Sequence, residues 1–146
     1  MTDLNPTTIE NLQYNVTLNF QDNKRVAATA IDWDDATTWP KERLDYVIGS
    51  DLIYQASIVP LLKKVILGLL KPDTGRFLYV APDTERDGLP HFIETMKRDG
   101  CSLIESKKAP EPFYSNPLLD GDEDMCFLHF NELSSSTYIL YEFCCS

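Results

Sequence analysis

Basic residues are scarce in this 146-residue sequence: 13 lysines and arginines stand against 23 aspartates and glutamates, and the formal net charge is −10. Such a chain repels the phosphate backbone of a nucleic acid, so we expect no nucleic-acid partner. The same acidity would attract a basic protein surface. A plainer interpretation stays open, because many surface acids only keep a protein in solution.

Long hydrophobic runs are also missing. The longest apolar stretch is interrupted by Lys63, Lys64 and Gly68, and the first ten residues lack the apolar segment of a signal peptide. We therefore expect a cytoplasmic protein that does not enter a membrane.

Neither cysteine nor histidine occurs in the spacing of a metal site, so we assign no residue to a metal. The chain has two histidines and four cysteines, and two of the cysteines, Cys144 and Cys145, are adjacent. In the reducing compartment expected for this chain, Cys101, Cys126 and the adjacent pair should be free thiols.

A glycine-rich loop is the last missing feature. Loops that cradle a nucleotide or a similar cofactor require closely spaced glycines. The six glycines of this chain lie apart from one another, at Gly49, Gly68, Gly75, Gly88, Gly100 and Gly121. The sequence therefore contains no cofactor loop of this kind.

The sequence does contain an alternation of strand and helix patterns, with 43% hydrophobic residues to fill one core and no linker or repeat. Apolar residues at helical spacing predict helices over residues 6–19, 58–69 and 89–96. Short apolar runs predict strands over residues 25–31, 44–50, 76–81, 101–106 and 138–143. We expect a surface loop over residues 109–124, and residues 126–130 fit a strand or a helix. This order predicts an α/β domain over residues 1–146 with an open, mostly parallel sheet.

Polar residues follow several of the predicted strands, at the edge where open α/β sheets bind their ligands. Asp32 and Trp33 follow the strand at residues 25–31. A carboxylate there can accept a hydrogen bond from the exocyclic amine of an adenine, and an indole can cover a ring face. In the plainer alternative, Asp32 caps a turn and Trp33 packs on the sheet. Asp83 follows the strand at residues 76–81 in the same way.

A second polar group, Ser50, Asp51 and Tyr54, follows the strand at residues 44–50. If a helical turn starts there, the spacing of three brings Asp51 and Tyr54 to one side, where they could orient an amine nucleophile. Alternatively, Asp51 caps a helix and Tyr54 is an aromatic residue at the edge of the core. Asp3 precedes the first predicted helix and either binds a ribose diol or is solvated.

The ordered motifs of the chain resemble those of methyltransferase family 16. The motifs are Asn-Leu-Gln-Tyr-Asn-Val at residues 11–16, Asp-Trp at 32–33, Gly-Ser-Asp-Leu-Ile-Tyr at 49–54, Leu-Lys-Pro at 70–72 and Tyr-Ile-Leu-Tyr-Glu-Phe at 138–143. The family contains S-adenosylmethionine-dependent protein-lysine methyltransferases with seven β-strands. The resemblance thus implies a Rossmann-like sheet with helices on both faces, S-adenosylmethionine as cofactor and a protein substrate with a target lysine.

The resemblance also implies roles for single residues. Asp3 corresponds to the acid that holds the ribose hydroxyls, and Asp32 with Trp33 to the adenine contacts. Ser50 corresponds to the backbone position beside the methionine moiety. Asp51 and Tyr54 correspond to the family's Asp-x-x-Tyr motif, which lines the entrance for the target lysine.

The sequence departs from the family pattern at its start. In family members a first strand, a glycine-rich loop, a helix and a second strand precede the position of Asp3. We therefore expect this chain to be the C-terminal part of a methyltransferase domain, with about five of the seven strands and with cofactor binding weakened or lost. An exposed sheet edge would then allow a homodimer. A catalytically inactive binding module and a methyltransferase for small amines or hydroxyl compounds remain alternatives.

Overall fold

A computed structural model describes residues 1–20, 25–83, 87–110 and 137–146 of the chain. The chain divides into two compact units, residues 1–43 and residues 44–146, which we call the N-terminal and the C-terminal unit. Within the described residues, none of the helices combines the length and the apolar character needed to cross a membrane.

Among its described residues, the N-terminal unit has two short strands and one helix. These are β1 (Thr2–Asp3), α1 (Pro6–Asn19) and β2 (Thr29–Ala30), followed by a 3-10 turn at Ala36–Thr38. The predicted bounds of α1 are confirmed. The side chain of Asn5 caps the helix by accepting from the N–H of Thr7 at 2.9 Å, and Pro6 occupies the first turn, where no backbone donor is needed.

The strand predicted over residues 25–31 is shorter in the structure. β2 pairs in parallel with β1, and Asp3 lies opposite Ala30. A strand is defined by its pairing with a neighbour, and β1 offers two residues for pairing. β2 therefore comprises only Thr29–Ala30.

The C-terminal unit contains the remaining elements in the predicted order. They are β3 (Tyr46–Ser50), a 3-10 turn (Ala56–Ile58), α2 (Val59–Leu69), β4 (Arg76–Pro82), α3 (Leu89–Arg98), β5 (Cys101–Lys108) and β6 (Tyr138–Cys145). The four strands form one sheet in the order β3-β4-β6-β5. β3 and β4 are parallel, whereas β6 is antiparallel to both β4 and β5. The expected open α/β sheet is confirmed, and its last strand, β6, runs antiparallel to its two neighbours.

The core of the C-terminal unit is an aromatic cluster. Phe77 and Tyr79 of β4, Phe92 of α3 and Phe143 of β6 are fully buried. The ring centroid of Phe77 lies 5.9 Å from that of Tyr79 and 6.1 Å from that of Phe92. Because side chains alternate along a strand, Phe77 and Tyr79 lie on the same face of the sheet, and Phe143 lies opposite Phe77. Phe92 of α3 packs on that face. β4 lies inside the sheet, between β3 and β6, which agrees with its almost continuous apolar run.

The expectation of free thiols is wrong for two of the cysteines. Cys101 of β5 lies opposite Cys145 of β6, and the two form a disulfide. Sequence spacing could not indicate this pair, because the register of two antiparallel strands brings together residues that are 44 positions apart. Cys144 carries a free thiol, as expected. Cys126 lies outside the described residues, as do the predicted loop beyond residue 110 and the ambiguous segment 126–130.

Candidate functional site

The N-terminal unit brings Asp3 and Asp32 to the same end of a parallel strand pair. Asp3 ends β1, and its carbonyl oxygen accepts from the N–H of Ile31 at 3.1 Å, which extends the pairing one residue past β2. Asp32 and Trp33 follow directly. Three of the predicted cofactor contacts are therefore neighbours at the carboxyl end of this pair.

The backbone of Asp32 is fixed by two side chains that sequence reasoning missed. Its N–H donates to the hydroxyl of Thr38 at 2.9 Å, and its carbonyl oxygen accepts from the indole N–H of Trp39 at 2.6 Å. The sequence feature that could have indicated these contacts is Trp39, the second tryptophan of the segment Trp-Asp-Asp-Ala-Thr-Thr-Trp at residues 33–39. Thr38 and Trp39 thus set the direction in which Asp32 leaves the strand.

Both acids of this group also cap local turns. Oδ1 of Asp32 accepts from the N–H of Asp34 at 2.8 Å, and Oδ1 of Asp3 accepts from the N–H of Asn5 at 2.8 Å. The alternative in which Asp32 caps a turn is therefore correct, but it accounts for only one of the hydrogen bonds that the carboxylate can accept. Capping takes one hydrogen bond, and a carboxylate can accept about four. Trp33 is half-buried, so part of its ring is accessible.

The C-terminal unit holds the second group, at the end of β3. The N–H of Asp51 donates to the carbonyl oxygen of Val80 at 2.8 Å, so the pairing of β3 with β4 continues one residue past Ser50. Asp51 then adopts a φ of 47°, in the left-handed region that aspartate enters more readily than most residues. The chain turns away from the sheet here. We call residues 51–54 the site turn.

Apolar residues attach the site turn to the sheet. A Cβ on Gly49 would lie 2.6 Å from Cδ1 of Leu52, so glycine at this position allows Leu52 to fold back over the strand. Ile53 is fully buried, and its N–H donates to the hydroxyl of Tyr79 at 3.2 Å. These contacts explain why glycine, leucine and isoleucine accompany the polar residues in this motif.

The condition of a helical turn starting at Asp51 is not met in the structure. Asp51 has a positive φ, and the 3-10 turn begins later, at Ala56, with Gln55 as its N-cap. Asp51 therefore caps no helix, and helical spacing does not relate it to Tyr54. Tyr54 is 67% exposed, so it is not an aromatic residue of the core edge. Ser50 is exposed, and Asp51 is half-buried.

Asp83 forms an ion pair at the same end of the sheet, just after β4. Its carboxylate accepts from the ammonium of Lys108, at the end of β5, and from the hydroxyl of Thr137 at 3.3 Å. The hydrogen bond from Lys108 lowers the pKa of Asp83 below its usual value, against the opposing effect of burial. Burial raises the pKa of Tyr141, and the negative charge of Asp83 adds to that rise.

Comparison with known proteins identifies the family. Residues 1–99 match the model of the lysine methyltransferase family, methyltransferase family 16. EEF1A lysine methyltransferase 3 of Xenopus tropicalis is 32% identical over 95 residues, which are 64% of this chain. The chain spans 41% of the length of that relative.

Solved structures share the fold at low identity. The O-methyltransferase of a polyketide synthase multienzyme from Brevibacillus brevis, in complex with S-adenosyl-L-homocysteine, superposes with a TM-score of 0.66 at 15% identity, over 99% of this chain and 57% of that one. The N-methyltransferase NodS of Bradyrhizobium japonicum, also in complex with S-adenosyl-L-homocysteine, superposes with a TM-score of 0.59 at 11% identity, over 97% of this chain and 63% of that one.

The [4+2]-cyclase SpnF is similar to the same degree, with a TM-score of 0.65 at 12% identity, over 98% of this chain and 65% of the cyclase. These likenesses concern the fold alone, since one fold serves several chemistries. The family model covers more than half of the sequence and includes both residue groups at the strand ends. This chain belongs to the lysine methyltransferase family and has the α/β methyltransferase fold.

Proposed function

We propose that this chain serves the S-adenosylmethionine-dependent methylation of a lysine side chain in a protein substrate. The observation that carries the proposal is the family match over residues 1–99, which contains both residue groups. Each group lies where a parallel strand ends, and this is where open α/β sheets bind their ligands.

The residues of the N-terminal unit fit the nucleoside part of the cofactor. Asp3 would accept hydrogen bonds from the ribose hydroxyls, Asp32 would accept from the adenine amine, and Trp33 would cover a face of the base. Bound S-adenosylmethionine supplies an electrophilic methyl group on its sulfonium. Ser50, at the end of β3, would contribute its backbone beside the methionine moiety. Because the sequence has no glycine-rich loop, we propose that binding by this chain is weak.

Asp51 and Tyr54 would receive the target lysine. Lysine must be neutral to attack a methyl group, and a nearby carboxylate attracts the ammonium but also raises its pKa. Asp51 therefore steers and aligns the side chain. Tyr54 would cover the lysine and exclude water, which favours the neutral amine. Alignment and desolvation then account for the catalytic effect of the site.

Methyl transfer in a protein extract tests the proposal. The chain is incubated with the extract and with S-adenosylmethionine that carries a labelled methyl group, and mass spectrometry locates the label. We expect the label on lysine side chains of a protein, and a strong reduction with Asp51→Asn. Label confined to small metabolites would refute the lysine assignment and favour a small-molecule methyltransferase.

One observation favours a second candidate, a binding module without activity. The isolated glycines leave the cofactor without a cradle in this chain. If calorimetry detects no binding of S-adenosylmethionine and the extract carries no label, the inactive module replaces the enzyme as the interpretation.

We also propose that two copies of the chain associate through β3. In the part of the chain that the structure describes, β3 pairs with β4 alone. Tyr46 and Ile48 of β3 are 62% and 74% exposed. A strand edge next to exposed apolar side chains favours pairing with another strand.

A further inference from the structure

The site turn has neither helix nor strand structure, yet it carries both residues proposed to receive the lysine. Asp51 is held at a positive φ, which has to be maintained by surrounding contacts. Tyr79 provides one of them. Its ring is fully buried, and its hydroxyl accepts from the N–H of Ile53, the residue before Tyr54, at 3.2 Å.

The hydroxyl of Tyr79 is well placed to fix the turn because the rest of the ring is fixed by the core. Tyr79 lies opposite Gly49 in the β3–β4 register, so its ring stands beside the end of β3. The ring centroid lies 5.9 Å from that of Phe77 and 6.2 Å from that of Phe92. A buried backbone N–H is costly to leave without an acceptor, so the hydrogen bond to Ile53 resists displacement of the turn.

A second set of contacts fixes the chain after the site turn. Oδ2 of Asp87 accepts from the N–H of Ala56 at 3.4 Å. Gly88 approaches so closely that a Cβ on it would lie 2.8 Å from Cα of Ala56. Both residues follow β4, the strand that carries Tyr79. Tyr79 of β4 therefore holds the site turn itself, and Asp87 and Gly88, which follow β4, hold the chain just after it.

We propose that Tyr79 is a positioning residue for lysine methylation: its buried hydroxyl fixes the site turn and thereby the placement of Asp51 and Tyr54. The inference rests on the proposed function for the role of those two residues. Tyr79 acts through Ile53 and is itself fully buried, so it is not expected to touch substrate or cofactor.

Tyr79→Phe tests the inference, because it removes the acceptor and keeps the ring in the aromatic cluster. We expect the amide of Ile53 and those of the site turn to exchange roughly tenfold faster with deuterium, as one buried donor loses its partner. Amides of Phe77 and Phe143 should keep their exchange rates. In methyl transfer, kcat should fall by about the same factor while KM for S-adenosylmethionine stays unchanged.

Tyr141→Phe is the matched control, since Tyr141 is a half-buried neighbour whose ring centroid lies 6.4 Å from that of Tyr79. It should leave exchange at the site turn unchanged. Unchanged exchange at Ile53 in Tyr79→Phe overturns the inference, and so does an equal acceleration across the core, which would indicate lost packing. If the chain transfers no methyl group, the proposed function fails, while the exchange rates still decide whether Tyr79 positions the turn.

Discussion

Asp51 combines an unusual backbone conformation with the proposed steering charge, and two substitutions separate these properties. Asn tolerates a positive φ about as well as Asp, whereas Ala is strained there by about 1 kcal/mol. We expect Asp51→Asn to retain the stability of the native chain but to lose lysine methylation. Asp51→Ala should lose methylation and also about 1 kcal/mol of unfolding free energy. Urea denaturation and methyl transfer measure the two effects.

Asp73 provides the control for this prediction. It is the other non-glycine residue with a positive φ, 62°, among those the structure describes, and it lies in the turn after α2. Asp73→Ala should destabilise the chain by a similar amount and leave methylation intact. Full activity in Asp51→Asn would show that the carboxylate has no role in the reaction.

The pKa of Asp83 makes stability depend on acid pH. The hydrogen bond from Lys108 lowers this pKa in the folded chain, so the folded state binds the proton less readily than the unfolded state. The resulting stabilisation is present above the ordinary pKa of aspartate and is lost as the pH falls through the lowered pKa of the folded chain. Lys108→Met should therefore raise the pKa of Asp83 and weaken this acid dependence.

An NMR titration of the Asp83 carboxyl carbon measures the shift directly. Lys63→Met is the control, because Lys63 pairs with Asp99, whose pKa is lowered by the corresponding hydrogen bond. It should raise the pKa of Asp99 and leave that of Asp83 unchanged. An Asp83 pKa that is the same with and without Lys108 would contradict the assignment of its cause.

At the scale of elements, Gly88 is a position where no side chain fits. Its φ is 96°, and an added Cβ would meet backbone, Cα of Ala56. We expect Gly88→Ala to cost about 2 kcal/mol of unfolding free energy, measured by urea denaturation, and to shift the amide resonances of the site turn.

Gly100 provides a comparison for Gly88, since its φ is 93° but an added Cβ would meet only the hydroxyl of Ser146, at the end of a side chain. Gly100→Ala should cost less and leave the resonances of the site turn in place. If both variants are equally stable and neither shifts the site turn, the close approach to Ala56 does not position the turn.

The elements that the sequence predicted well are those with local signals. The cap at Asn5 and the helical spacing after it define α1 to the residue, and the apolar run of β4 indicates a central strand. The misses depend on contacts between distant segments. The disulfide between Cys101 and Cys145 follows from strand register, and the positive φ of Asp51 follows from how the chain leaves β3.

In the candidate site, too, the features with local sequence signals were predicted and the contacts that fix them were not. Its polar residues were identified by their place after apolar strands and by their motifs, both of which are visible in the sequence. The residues that fix them were missed: Trp39 reaches the carbonyl oxygen of Asp32, and Tyr79 reaches the N–H of Ile53. Trp39 lies only seven residues from Asp32, and its place in the segment 33–39 is a weak local signal. Tyr79 has no such signal, because its hydroxyl contacts a residue 26 positions away.

At the scale of the whole molecule, the family and the fold support different conclusions. The fold places chemistry at the carboxyl ends of the strands but does not choose the reaction, since fold alone does not determine function. The acidic charge of −10 agrees with the proposed substrate, a basic protein segment around a target lysine. The proposal of lysine methylation therefore rests on the family match, with which this charge agrees.

Association through β3 is the prediction that concerns the whole molecule. Among the strands that the structure describes, β3 and β5 are the outer ones of the four-stranded sheet. Each exposes an isoleucine: Ile48 is 74% exposed and Ile104 is 55% exposed. A lysine at an edge strand disfavours pairing with another chain. Light scattering after size exclusion should give a dimer mass for the native chain and a monomer mass for Ile48→Lys, with the circular dichroism spectrum unchanged.

Ile104→Lys introduces the same charge at the opposite edge and should leave the dimer intact. This control separates pairing at β3 from a general effect of charge on self-association. A native chain that stays monomeric at tens of micromolar would contradict the dimer, and dissociation by Ile104→Lys alone would move the interface to β5. Because both side chains are exposed, neither substitution removes core packing, so a change in mass reports on the contact between copies.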